Sequence, residues 1–219
     1  MATLTEQASL WQLISPLSPV GAYHYSQGLE QVIGLGWVSD EESLLRWLEA
    51  LLLNVIAGVD LPVICRTHAA WSVRDEDAVA TWDGVSRACR ETAELRDEER
   101  QMGAALGRLA RELKEPFPGQ VPGYSAGFGV MTANRNIAPD DALGGYCWAW
   151  CENQVAAGIK LMPLGQSGGQ RILSRLKTHL GSAVSAGKNC RDEDIGAGMP
   201  ALALASTLHE RRYSRLFRS

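Results

Sequence analysis

Ser39-Asp40-Glu41-Glu42-Ser43-Leu44-Leu45-Arg46-Trp47-Leu48-Glu49-Ala50-Leu51-Leu52-Leu53-Asn54-Val55-Ile56 is the stretch whose reading decides the fold. Its apolar residues at 44, 45, 48, 51, 52, 55 and 56 recur at the three-and-four spacing of one helix face. Ser39 with Glu42 reads as a capping box at its start. Asp40, Glu41 and Glu42 stand where the helix dipole favours negative charge. Gly58 reads as a slackening or end point, and Asp60-Leu61-Pro62 as the start of a second helix with proline in its first turn.

Working outward, further helices are predicted over 75–89, 90–114, 124–134, 140–161, 166–186 and 200–212. In the second of these, Arg90 and Glu94 are four apart and set to pair along the helix. Its remaining acids alternate with arginines like a solvated or partner-facing surface. Glu115 to Gly123, with three prolines and two glycines in nine residues, is a loop. No strand-like alternation of useful length occurs. Alanine and leucine number 54 against 29 for valine, isoleucine and threonine together, which favours helix. The expected fold is all-α: one domain over residues 1–219, a compact bundle of about eight to ten helices.

Composition removes several function classes. The formal charge of −4 gives no cationic surface for phosphates, so no nucleic-acid partner is expected. The longest apolar run, 44–59, is broken by Arg46, Glu49 and Asn54, so no membrane span is expected. The start, with Glu6 and no basic cluster, does not read as a signal peptide. Five cysteines fit a reducing cytoplasm better than a disulfide framework.

Chemical motifs are few. Gly123-Tyr124-Ser125-Ala126-Gly127 matches the G-x-S-x-G nucleophile elbow, which would make Ser125 a hydrolase nucleophile. That elbow needs a buried strand before it, and the prolines at 116, 118 and 122 exclude one. Gly181 to Asn189 has five residues between its glycines and Asn189 after Lys188, so it cannot cradle phosphates as a P-loop does. Cys147 and Cys151 share a helix face but lack the further ligands of a tetrahedral site. His24, His68, His179 and His209 are scattered. No catalytic residue, metal ligand or cofactor is assigned.

Three stretches remain. The tail 211–219, R-R-Y-S-R-L-F-R-S, carries four arginines and no acid, which leaves −8 on the rest of the chain. It reads either as a frayed terminus or as a segment that docks on an acidic, grooved partner through arginine pairing and aromatic anchors. Ser15 to Glu30 sets two prolines and a glycine before aromatic and polar residues. Lys160-Leu161-Met162-Pro163-Leu164-Gly165-Gln166 is a helix end, a break and a new start.

Together these stretches resemble the UreF family of urease accessory proteins. Pro19-Val20-Gly21, Tyr23, Ser26 and Gly28-Leu29-Glu30 match its N-terminal pattern. Arg90 to Arg96, Met102-Gly103, Lys160 to Gln166 and the Tyr213 to Ser219 ending follow in the family's order. Two departures are Ala22 in place of a second glycine, and a histidine at His24 where many relatives carry it at the position of Tyr25. The resemblance implies a non-catalytic, dimer-forming cytoplasmic scaffold. It would bind UreD/UreH, recruit and regulate the GTPase UreG, and assist delivery of nickel to apo-urease, the nickel being cargo in transit. On that reading Tyr23, Ser26, Glu30, Lys160 and Gln166, with the tail residues Arg211, Arg212, Tyr213, Ser214, Arg215, Leu216, Phe217 and Arg218, are expected to bind partners. The tail is expected to order on binding UreD/UreH, and Glu30 and Lys160 to make surface contacts. The alternatives are a serine hydrolase built on Ser125 and a helical adaptor unrelated to urease.

Overall fold

The computed structural model describes residues 3–196 and 198–219. Among them are nine helices and no strand, as the periodicity predicts. Helix α1 spans Leu4–Ile14, α2 Leu29–Gly34, α3 Glu41–Ser72, α4 Glu76–Ala88 and α5 Ala93–Glu112. Then follow α6, Tyr124–Asn134, and α7, Pro139–Leu161. Helix α8 covers 165–189, tightened at Lys177–His179, and α9 is Pro200–His209.

The deciding stretch folds as one helix where two are predicted. Its cap is Asp40, whose carboxylate accepts the Ser43 amide at 2.7 Å while the Ser43 hydroxyl takes the Asp40 amide. The Ser39–Glu42 box is therefore displaced by one residue. The helix does not stop at Gly58 or restart at Asp60; it widens into a π-helical stretch over Leu51–Asp60 and runs on to Ser72. The Leu61 amide reaches back five residues to the Ile56 carbonyl. Pro62 has no amide to give the Gly58 carbonyl, and the Gly196 amide takes that acceptor instead at 3.2 Å. A proline that ordinarily ends a helix is thus absorbed by a wider winding and a distant donor.

By length and composition this 32-residue helix is long and apolar enough to cross a membrane, which the broken apolar run does not suggest. Its apolar side chains are nonetheless the protein's own core: Leu44, Leu45, Leu48, Leu52, Leu61 and Ile64 are all buried. The C-terminal half of α3 packs along α6, where a Cβ on Gly129 would lie 2.1 Å from Thr67 Oγ1 and 2.7 Å from the Ile64 carbonyl. Only glycine lets these two helices approach so closely. Helices α4, α5, α7 and α8 complete the wall around α3 and α6, and α2 and α9 pack together at one end of the bundle.

Candidate functional site

The π-helical winding turns Asp60 inward, where it is buried. Asp60 accepts Arg90 Nη2 at 2.7 Å and the Tyr146 hydroxyl at 2.8 Å. Arg90 Nη2 also meets Glu99 at 3.0 Å. Arg90 lies before α5, not in it, and the predicted pairing with Glu94 does not form. Burial opposes the Arg90 charge, but Asp60 and Glu99 outweigh it and hold the guanidinium firmly protonated. Glu99 further accepts the Ser125 amide at 2.8 Å and the Ser125 hydroxyl at 2.6 Å, and Ser86 bonds Ser125 at 2.9 Å. Ser125 is fully buried on the second residue of α6, so its hydroxyl is spent on the core and is not presented as a nucleophile. Asp60, Arg90, Glu99 and Tyr146 line a chamber of about 60 Å³, together with Gln27, Glu98, Tyr124 and Trp150.

A second cluster adjoins the first and seats the C-terminal segment. Glu30 accepts the amides of Leu216 and Phe217 at 2.9 Å each. Burial raises the cost of its charge, yet those amides and His209 prevail and hold its carboxyl below the usual range. His209 is fully buried, with Nδ1 2.8 Å from Glu94 and Nε2 3.3 Å from Glu30. Glu94 also pairs with Arg215. Ser26 gives both its amide and its hydroxyl to the Ser219 carbonyl, at 2.8 and 2.7 Å, and the Arg218 amide bonds the His24 carbonyl. Ser219 Oγ donates to Glu98 at 2.7 Å. Phe217 is buried, with Lys160 Nζ 5.7 Å above its ring.

The loop that makes this seat carries backbone strain. Gln27 is held at a φ of +51°, a conformation costing a non-glycine residue roughly 1–2 kcal/mol. It places the side chain between Glu98, to which Nε2 donates at 2.8 Å, and the Trp150 indole, which donates to Oε1 at 2.8 Å. Gly28 follows at a φ of +76° and lies against Ala205 of α9. Strain retained at such a junction marks a place the surrounding structure over-determines.

The UreF family model matches residues 38–177. Over 218 residues the chain is 46% identical to the urease accessory protein UreF of Alkalilimnicola ehrlichii, covering 97% of this chain and 96% of the relative. It is 45% identical to the protein so named in Chromohalobacter salexigens, covering 97% and 94%, and 42% identical to that of Teredinibacter turnerae, covering 96% and 97%. The chain belongs to the UreF family. Several residues of this UreF-family protein on which the resemblance read from its sequence rests prove to be parts of the seat. Ser26 and Glu30, both expected to bind partners, are buried, and Glu30 does not make the expected surface contact, because their partners are backbone groups of residues 216–219. The 211–219 segment, expected to order on a partner, is already laid against its own body. Its outward face carries Arg211, Tyr213, Ser214, Arg215, Leu216 and Arg218, with Tyr213 fully exposed. Arg212 is half-buried, its Nη1 bonding the Glu30 carbonyl at 3.1 Å. Tyr23, Lys160 and Gln166 are exposed.

Sequence reasoning missed Asp60, Arg90, Glu94, Glu98, Glu99 and His209. One signal was present: Glu99 falls on the stripe of Leu95, Met102 and Leu106, a charged residue in a core register. The buried Cys147 and Cys151 thiols are pushed up by burial and stay protonated, packing as small apolar groups. Among the described residues no three His, Cys, Asp or Glu side chains are grouped to hold a metal ion.

Proposed function

We propose that this protein is a non-catalytic scaffold of urease maturation. It binds UreD/UreH, recruits and regulates the GTPase UreG, and acts in the cytoplasm as a homodimer within a larger complex. Nickel bound for apo-urease passes through that complex as cargo. Support comes from family membership and from one observation above all: the 211–219 segment is clamped from beneath by Glu30, Ser26 and Glu98, while Tyr213 and Leu216 stand out in solvent. A rigid backbone offering an aromatic, an aliphatic and exposed arginines lowers the ordering cost of association and supplies hot-spot residue types. An acidic, grooved partner surface would complement it. Against the hydrolase alternative stands the burial of Ser125 among Glu99 and Ser86.

The test is co-purification of UreD/UreH with a Tyr213→Ala/Leu216→Ala double variant. Neither side chain is buried, so helical circular dichroism should be unchanged while the partner is lost. Undiminished co-purification would remove the segment from the interface. Separately, a fluorophosphonate probe should leave the wild-type chain unlabelled.

A further inference from the structure

Glu98 stands where three parts of the chain meet. Its Oε1 accepts Gln27 Nε2 from the strained loop, its Oε2 accepts Ser219 Oγ from the C-terminal segment, and its own helix is α5. Through Gln27 it is tied to the Trp150 indole of α7. The carboxyl also lines the small chamber. Around it lie Asp60 from α3, Arg90 from the link before α5, Tyr124 from α6 and Tyr146 from α7. Tyr25 and Arg218 flank it on the segment side, and Asp97, Glu99 and Gln101 share its helix. Arg90 is engaged by Asp60 and Glu99, and among the described residues no cation stands at ion-pair distance from Glu98.

We propose that Glu98 is a proton-operated latch: its neutral carboxyl keeps the 211–219 segment seated, and its ionisation loosens that seat. With Glu98 neutral, the chamber holds one guanidinium against two carboxylates. Ionisation adds a third negative charge and no partner. An ionised Glu98 accepts more strongly from Ser219 Oγ, but two neutral donors do not replace the water a buried anion gives up. Burial accordingly lifts this carboxyl to about 7, against the pull of the Ser219 and Gln27 bonds. Of the parts joined at Glu98, α5 and α7 are fixed by core residues such as Leu106 and Leu143. The segment is held by hydrogen bonds, ion pairs and Phe217 alone, so it is the part that yields and lets water in. The inference stands whatever partner the segment meets.

The experiment follows the Trp150 indole N–H resonance and the deuterium exchange of the Leu216, Phe217 and Arg218 amides, corrected for intrinsic rates, from about pH 5.5 to about pH 8.5. The indole should titrate with a midpoint near 7, and amide protection should fall by about tenfold or more across it. Glu98→Gln should abolish the titration and keep the amides protected throughout. A wild-type protection that ignores pH, or a Glu98→Gln protein that responds as the wild type does, overturns the latch. Should Glu98→Gln fail to fold, Ser219→Ala decides: its amides at about pH 6 should exchange as the wild type does at about pH 8, and unchanged protection overturns the proposal equally.

Discussion

Arg90→Met removes the one cation from a pair of buried carboxylates. The Arg90 side chain is 10% exposed, against 2% for Asp60 and 5% for Glu99, and one nitrogen, Nη2, touches both acids. Without it the two carboxylate oxygens, 2.7 and 3.0 Å from that one nitrogen, stand at most 5.7 Å apart. At an effective dielectric of about 20 that repulsion is about 3 kcal/mol. Stripping one partner from a buried pair typically costs about 3–5 kcal/mol. The two figures agree, and for a chain of this length they correspond to a melting temperature lower by about 6–20 °C. Urea unfolding followed by circular dichroism at neutral pH measures the loss. One control separates electrostatics from lost packing. Adding Asp60→Asn and Glu99→Gln to Arg90→Met should recover most of it, since a buried ion cluster replaced as a whole is close to neutral. A loss below about 1 kcal/mol, the scale of an exposed pair, would refute the account of the cluster.

Two further substitutions probe the seat and the core. Glu30→Ala deletes the acceptor of the Leu216 and Phe217 amides, so trypsin at limiting concentration should cut after Arg215 and Arg218 much faster than in the wild type, with α-helical content retained. Gly129→Ala drives a methyl to 2.1 Å from Thr67 Oγ1 and against backbone; overpacking of this kind costs about 1–3 kcal/mol or more, read as a lower melting temperature.

Much of the bundle is legible in the sequence because its cause is local. Glu76–Ala88 opens after Asp75, whose carboxylate caps it, so neighbours alone set that end. The junction at 58–62 was misread for the opposite reason. Glycine and proline there signal a break, and what cancels the signal is the Gly196 amide, distant in sequence. Arg90 shows the same competition: a helical pairing worth a few tenths of a kcal/mol loses to two buried acids, one from α3. Glu30 looked like a surface charge because its partners, the amides of residues 216 and 217, carry no sequence signature at all. The tail was visibly unusual in composition. Which of its residues face inward depends on Glu30, Ser26 and Glu98, and no pattern within the tail reveals it.

The two carboxyls that hold the segment make opposite demands on pH, which yields a last prediction. Glu30 is held below the usual range, so its contribution is present above its unfolded value and disappears as pH falls through its folded one. Glu98 is raised from 4.5 to about 7, so its contribution is complete below its unfolded value and is lost as pH rises toward 7. Above about pH 5.5 Glu30 is constant, and comparison with Glu98→Gln separates the change that belongs to Glu98. A shift of that size corresponds to about 3 kcal/mol between the acid limit and mildly alkaline solution, of which the part between about pH 5.5 and about pH 8 is readily measured. Urea titrations at successive pH values should show wild-type stability falling over this interval and levelling above it. The difference between wild type and Glu98→Gln isolates the one group from every other titration, and that difference should fall by about 1.4 kcal/mol per pH unit and level off near 7. A wild-type curve that rises over the same interval in step with Glu98→Gln would mean that the buried carboxyl ionises freely, and that water already reaches it with the segment in place.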